Sequence, residues 1–377
     1  MNPFRFFFPL SLVIPLFLIS CQSPYRYREK AGHLMIVGGG LDDDLRGVYE
    51  CFLKLASTKG QPRVLIATAA TEQGEEVQSE IVGKTSALRA WSPQVQVGVI
   101  TRETSTEETV EAIDNATGIL FTGGNQSRIT QRYRPTGHAT PEWHAMKRLL
   151  ARGGVIAGCS AGDAMMGEFM VLHGDNTGAL IAPSKPKDKA VVDFKMSHGM
   201  ALLPWAISES HFFERDRLAR LVVMLESAGN RLGIGVGEDA AVHIDLASGV
   251  LTGLTPSDSL LVDATHLETH GQMRRKLRAR LVRQGDQISL RRLLVRKPVP
   301  PAGKPPHTPS AIHITSPGQN RQLALWRLFM NARRPGSGVW EMHFKEGWKL
   351  QAWPDNKRRW VSFEVCPVQS NRAHAYR

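Results

Sequence analysis

Ala157-Gly158-Cys159-Ser160-Ala161-Gly162 decides how the rest of this chain is read. Gly153-Gly154 leads into Val155, Ile156 and Ala157, a short apolar run that predicts a buried strand. Ala161 to Phe169 (AGDAMMGEF) predicts a helix. Ser160 then stands on the sharp turn between them. This is the G-x-S-x-G arrangement, in which small neighbours permit a strained turn and expose a serine oxygen. Backbone N–H groups at the start of the following helix are placed to meet a developing oxyanion.

Working outward, strands and helices alternate. His33 to Val37 reads as a strand running into Gly38-Gly39-Gly40, and Leu45 to Ala56 carries apolar residues at helical spacing. Strands follow at Val64–Ala69, Val95–Ile100 and Gly118–Thr122, separated by helices at Glu75–Trp91 and Glu107–Asn115. The fourth strand ends in Gly123-Gly124-Asn125-Gln126. A further helix opens with Thr140 as N-cap and Pro141 at its first position. Residues 172–200 are irregular and read as a flap or hairpin near Ser160. Trp205 to Ser208 is strand-like, and a helix is expected from His211 to about Ala228. Leu232–Val236 and Ala241–Asp245 complete the alternation, with Ser248-Gly249 turning a hairpin. The order predicts an α/β fold, a flavodoxin-like, doubly wound, mostly parallel sheet with helices on both faces. Such sheets bind ligands beyond the C-terminal ends of their strands. The glycines at 38–40 and 123–124 belong to that edge, as does Ser160.

Gly38-Gly39-Gly40 is not a dinucleotide loop, because Asp43 breaks the G-x-G-x-x-G spacing. Asp42-Asp43-Asp44 reads as a solvated helix start, with acids favourably near the helix dipole, rather than as a metal site. No metal or cofactor is expected.

A serine hydroxyl needs a base to take its proton. His211, at a strand-to-helix junction, is the best candidate; His144, His173 and His198 compete. A carboxylate should orient the imidazole. Asp175 and Glu238 are both plausible, Glu168 and Glu209 less so.

The chain has 377 residues, enough for a sizeable core. Arg5 precedes an apolar run, Phe6 to Ile19, of signal-peptide length, too short to span a bilayer comfortably. It ends in Leu18-Ile19-Ser20-Cys21, which looks like a bacterial lipobox with Cys21 as the lipidated residue. Gln22 follows, and not an aspartate, so a lipid-anchored place in the cell envelope is expected, at the outer membrane and either periplasmic or surface-facing. Cys51, Cys159 and Cys366 are too widely spaced for a disulfide framework or a zinc site, and Cys51 and Cys159 read as buried thiols.

The organisation expected is a signal peptide (1–21), a polar tether (22–32), a catalytic domain (33–296), a proline-rich linker (297–309) and a small basic module (310–377). Residues 266–377 carry 22 Lys and Arg against 6 Asp and Glu, whereas the chain as a whole has a net charge of +12, so the remainder is slightly acidic. Five of the eight tryptophans lie in the module: Trp326, Trp340, Trp348, Trp353 and Trp360. Their interleaving with Arg and Lys would suit nucleic acid or an anionic polymer, but they read first as the core of a small β-rich module. The module is expected to be dispensable for chemistry and to hold the protein on an anionic surface or polymer.

The motifs in order resemble those of cyanophycinase and, more distantly, dipeptidase E, serine peptidases related in fold to class I glutamine amidotransferases. They are Gly38-Gly39-Gly40, Phe121-Thr122-Gly123-Gly124-Asn125-Gln126, Gly158-Cys159-Ser160-Ala161-Gly162, His211-Phe212 with Arg215, Arg217 and Arg220, and Gly233 to Glu238, within residues 31–265. The resemblance implies Ser160 as nucleophile, His211 as general base, and Gly124 and Ala161 as the oxyanion hole. It implies Gln126, Glu209, Arg215, Arg217 and Arg220 as residues meeting substrate. The implied activity is serine exopeptidase cleavage of cyanophycin or related aspartyl or β-aspartyl-arginine peptides, outside the cytoplasm. Expected partners are that peptide or polymer, a membrane through the lipid, an anionic polymer through the module, and a second copy of the chain in a homodimer. Three departures stand out: Asp163 replaces the family's alanine, and Glu209-Ser210 replaces its Asp-Gln pair. They motivate a rival reading as an inactive surface-binding lipoprotein. An α/β-hydrolase esterase shares G-x-S-x-G but places its histidine much further from the serine.

Overall fold

The computed structural model describes residues 32–40, 46–58, 60–72, 74–181, 194–203, 205–295, 309–312, 321–334, 338–343, 348–355 and 359–367. The Cys21 lipobox, nearly all of the 22–32 tether, Asp42-Asp43-Asp44 and the linker through position 308 lie outside the described residues.

The first half alternates as its apolar runs dictate: β1 (His33–Val37), α1 (Arg46–Ala56), β2 (Arg63–Ala67), α2 (Glu75–Trp91), β3 (Gln96–Ile100), α3 (Thr106–Asn115), β4 (Gly118–Phe121), α4 (Gln126–Tyr133), α5 (Pro141–Ala151), β5 (Val155–Cys159) and α6 (Ala161–Ala164). Thr140 caps α5, its side chain accepting from Trp143 N, with Pro141 in the first turn. The second half contains β6 (Phe169–His173), α7 (Asn176–Ile181), β7 (Lys195–His198), β8 (Ala206–Glu209), α8 (Leu218–Ala228), β9 (Leu232–Val236), β10 (Ala241–Asp245), β11 (Val250–Gly253), β12 (Ser259–Asp263), β13 (Glu268–His270), β14 (Met273–Val282), β15 (Gln287–Ser289) and α9 (Leu290–Val295). Then come β16 (Pro309–Ile312), α10 (Arg321–Ala332), β17 (Val339–His343), β18 (Trp348–Pro354) and β19 (Val361–Pro367).

Among the described residues these strands form two large sheets and a small ribbon. The first sheet runs β15-β11-β10-β1-β5-β4-β2-β3, parallel from β1 to β3 and antiparallel from β1 to β15. The second runs β16-β17-β18-β19-β14-β12-β9-β8. The ribbon pairs β6 with β7, inside the segment expected to be a flap or hairpin. The sheets share the interior. Along β1, Met35 and Val37 join Tyr49 and Phe52 of α1 in one cluster. Leu34 and Ile36 face the other way, into a cluster that also holds Ile234 and Val236 of β9 and Leu261 of β12. On the far face of the second sheet, Leu260 and Val262 of β12 pack with α8 and α10.

Three expectations differ. The helix behind Ser160 covers only Ala161–Ala164 and not the stretch to Phe169. The chain leaves the helical path where Gly167 is wedged against β8: a Cβ on it would lie 3.0 Å from Ala206 O. The helix expected from His211 begins at Leu218, because His211 (φ 46°) and Asp216 (φ 47°) are both left-handed. The C-terminal segment does not stand apart as a module. Strand β19 pairs with β14, and Leu325, Leu328, Phe329, Leu350 and Phe363 share one core with Phe212, Phe213 and Leu221. Three of its five tryptophans serve as core, Trp348, Trp353 and Trp360, while Trp326 and Trp340 are half-buried against it.

His33 of β1 and His243 of β10 face each other with ring nitrogens 3.2 Å apart. Burial first, and His33 next, push the His243 pKa down to about 4, against the opposing charge of Asp245. The folded state therefore binds fewer protons than the unfolded one. This stability is fully present above pH ~6.5 and is lost as pH falls toward 4, on the order of 2 kcal/mol. Urea midpoints should drop across that range, and His243→Gln should flatten the drop.

Candidate active site

Ser160 leaves β5 with φ 53° and ψ −100°, a conformation costly for a residue with a Cβ. Its N–H donates to Val37 O at 2.9 Å, tying the turn to β1. Gly158 is required on the near side, since a Cβ there would lie 2.2 Å from Gly162 O. The turn projects Ser160 Oγ to 2.7 Å from Nε2 of His211.

His211 follows β8, the strand parallel to β9. Its N–H donates to Gly38 O at 2.8 Å. Its ring lies over Gly39, where an added Cβ would sit 2.3 Å from Cε1. The lack of a side chain at Gly39 thus clears the space that the imidazole occupies. Nδ1 of His211 lies 2.7 Å from Oε1 of Glu238, which follows β9. Burial lowers the His211 pKa below its ordinary value, and Arg215 and Arg217 add to the effect against the raising pull of Glu238. The ring is therefore neutral at pH 7, the form able to accept a proton from Ser160.

Glu238, not Asp175, is the carboxylate that meets the imidazole. Asp175 Oδ1 accepts from Gly178 N at 2.8 Å at the start of α7. Among the other histidines, His198 lies 3.6 Å from Glu168, and Glu168 pairs with Arg134 at 2.9 Å. The two loops expected to form an oxyanion hole lie beside the nucleophile. A Cβ on Gly123 would be 3.6 Å from Ser160 Cβ, and Ala161 directly follows the turn. Among the described residues no backbone acceptor takes the N–H of Gly124 or Ala161.

The residues expected to touch substrate divide. Arg215 is exposed and close enough to bias His211. Glu209 and Arg220 are buried against each other, with Arg220 Nε 3.0 Å from Glu209 Oε2. Arg217 Nη1 donates to Glu209 Oε1 at 3.1 Å and to Ser210 O at 2.8 Å. Burial and its arginine neighbours bring the Arg217 pKa down to about 10, against the pull of Glu209, so it remains a cation. These three side chains brace the β8–α8 junction rather than face a ligand. Gln126 is likewise engaged, its amide donating to Val171 O at 2.7 Å on the ribbon.

Asp163 is fully buried, and Ser208 Oγ donates to its Oδ1. Burial raises its pKa well above the usual carboxylate range, with Glu209 adding to the shift and the Ser208 bond opposing it. The buried carboxyl is thus biased toward its uncharged form, and its Oδ1 is taken up by Ser208. Sequence reasoning missed Glu214, whose carboxyl burial pushes up and which the backbone N–H groups of Glu214 and Glu238 reach. No spacing in the sequence marks it.

If Glu238 orients the imidazole, Glu238→Gln should cut kcat by about 10²-fold or more on a small peptide, since an amide cannot stabilise the imidazolium. Asp175→Asn, which keeps the acceptor at the start of α7, should stay within about twofold. Steady-state kinetics on the pair distinguishes the two carboxylates.

A serine on a strained turn, an imidazole and a carboxylate in line, carried by an α/β sheet at its C-terminal edge, define the site of a serine hydrolase. The model of peptidase family S51 matches residues 34–249, and the chain belongs to that family. The cyanophycinase of Synechococcus elongatus is 28% identical over 194 residues, covering 49% of this chain and 56% of that protein. The cyanophycinase of Geminocystis herdmanii is 33% identical over 130 residues, covering 34% and 43%. The chain spans about half the length of the curated relatives it matches. A solved peptidase from an acI-B1 Actinobacterium has the same fold, with TM-score 0.50 at 17% identity over 69% of this chain and 97% of that one.

Proposed function

We propose that this protein is a serine peptidase that hydrolyses aspartyl or β-aspartyl-arginine peptides, cyanophycin among them. The observation that carries this reading is the Ser160–His211–Glu238 relay, with both hydrogen bonds at 2.7 Å. Ser160 Oγ attacks the peptide carbonyl as His211 Nε2 takes its proton, and Glu238 holds the imidazolium. The backbone N–H groups of Gly124 and Ala161 stabilise the tetrahedral oxyanion. His211 then returns the proton to the leaving amine, and water repeats the sequence on the acyl-enzyme. The exposed Arg215 guanidinium supplies a charge for a substrate carboxylate beside the scissile bond. The names of the similar proteins point to cyanophycin, and exopeptidase release of dipeptides follows from the same likeness. A fluorophosphonate probe should label Ser160, and the protein should release dipeptides from cyanophycin. A folded protein that does neither overturns the reading.

The lipobox motivates a second part of this proposal: Cys21 carries a lipid, and the enzyme works in the cell envelope, outside the cytoplasm. Cys21→Ser should move the protein from the membrane to the soluble fraction. Unchanged fractionation would remove the anchor.

A further inference from the structure

The second sheet carries more than His211 and Glu238 along its edge. Glu209 of β8 lies opposite Gly235 of β9, so His211 and Glu238 leave the sheet side by side. Ser259, the first residue of β12, pairs with Val236 and with Val282, the last residue of β14. Val361 at the start of β19 pairs with Ala279. Glu238, Asp258, Arg283 and Arg359 therefore lie in that order along one edge. The neighbours at the start are in contact, since a Cβ on Gly237 would be 3.1 Å from Asp258 O. With strands ~4.8 Å apart, Arg283 lies roughly 10 Å and Arg359 roughly 15 Å across the sheet from the strand of Glu238.

Charge collects at the far part of this edge. Arg283 Nε is 3.3 Å from Asp258 Oδ1, and Arg283 Nη2 is 2.7 Å from the Met330 sulfur, which brings the end of α10 to the same place. Arg280 and Arg359 both reach Asp286. Arg333 and Arg334, just past α10, make no ion pair among the described residues. Burial first, then the charges of Arg283, Arg334 and Arg359, push the Arg333 guanidinium below its usual range against the pull of Asp258. Five arginines thus face two aspartates, a cationic surplus continuous with the triad's own edge.

We propose that these arginines form an exosite for the carboxylates of a polyacidic peptide whose scissile bond lies at Ser160. The proposal rests on the peptidase reading given above. An extended chain advances ~3.3–3.6 Å per residue, so the patch lies three to five residues beyond Glu238, which itself stands across the imidazole from Ser160, and it is reached by no dipeptide or tripeptide. An acidic peptide fits better than a nucleic acid because the tryptophans nearby are unavailable for base stacking. Trp360 is buried, and Trp326 Nε1 donates to Asp258.

The test uses the full chain with Ser160→Ala and a fluorescein-labelled decapeptide of aspartate, followed by fluorescence anisotropy. The decapeptide should bind at least about tenfold more tightly than an aspartyl dipeptide at low salt, and the advantage should shrink at about 500 mM salt. Arg333→Glu combined with Arg334→Glu should remove the advantage. With Ser160 intact, the same double variant should hydrolyse an aspartyl-arginine tripeptide, too short to reach the patch, within about twofold of the unsubstituted protein. Unchanged decapeptide binding by the double variant overturns the exosite, as does tighter binding of a deoxythymidine decamer. Absence of both tripeptide turnover and dipeptide release from cyanophycin in the unsubstituted protein counts against the peptidase reading alone.

Discussion

Ser160→Ala is expected to reduce kcat by at least about 10⁴-fold while leaving the protein folded. Among the described residues, this hydroxyl is the group placed both to attack and to give its proton to His211, 2.7 Å away. Without it, the remaining groups can polarise a carbonyl but can form no acyl-enzyme. The fold should hold for three reasons. Alanine keeps the Cβ that already tolerates φ 53°, the Ser160 N–H still reaches Val37 O, and the lost oxygen packs against no core cluster. The melting temperature should therefore move by no more than about 2 °C, within the range of substitutions away from the core. KM should change little, because Oγ contributes to bond making and not to holding the peptide. Circular dichroism and active-site titration on the same sample check both halves. Turnover within about tenfold of the unsubstituted protein would remove Ser160 as nucleophile and the mechanism with it.

Ser160 was legible in the sequence because everything that makes it a nucleophile is local. A buried strand, two close-packed glycines and a helix start fall within ten residues. His211 was legible for a related reason, since it terminates a strand and β8 has a recognisable apolar pattern. The acid was not. Asp175 and Glu238 flank His211 in sequence with nothing local to choose between them, and only the pairing of β8 with β9 brings Glu238 to Nδ1. Gly39 was visible as a residue but not as a seat for the imidazole, because that contact joins residues far apart in sequence. Arg215, Arg217 and Arg220 look alike in sequence, yet burial against Glu209 separates two of them from the exposed one. The second sheet escaped for a different reason. Strands buried on both faces read as plain apolar runs, and nothing in β9 says which sheet it joins. Its glycines do carry a trace of the answer: a Cβ on Gly235 would lie 2.4 Å from the Phe212 ring, and one on Gly233 3.0 Å from Leu221. They make room for the residues that follow His211 on the far face.

Ending the chain near Pro301 is expected to cost folding and, with it, hydrolysis of even the smallest substrate, although the segment removed contains no member of the triad. The sequence suggests the opposite, since a proline-rich linker and a charge boundary mark this as the place where a module could be detached. The sheet argues against detachment. Strand β14 is bonded to β19 on one side and to β12 on the other, and truncation leaves one of its edges bare. Leu260, Val262, Leu277 and Ala279 lose the cover of Leu325, Leu328, Phe329 and Phe363, all of which are buried in one cluster. Each large apolar side chain so exposed costs about 1.5–3 kcal/mol, and a few of them equal the ~5–15 kcal/mol that holds a domain together. The damage reaches the site because Phe212 and Phe213, next to His211, belong to that same cluster. Loosening them frees the imidazole from the position that Gly38 O and Gly39 define. The truncated chain should be largely insoluble, or soluble with a much lower denaturant midpoint and without tripeptide turnover. Recovery of a folded truncation that hydrolyses a tripeptide at the full rate would show that β12 and β14 are stable without β19, and that the shared core contributes nothing to holding His211.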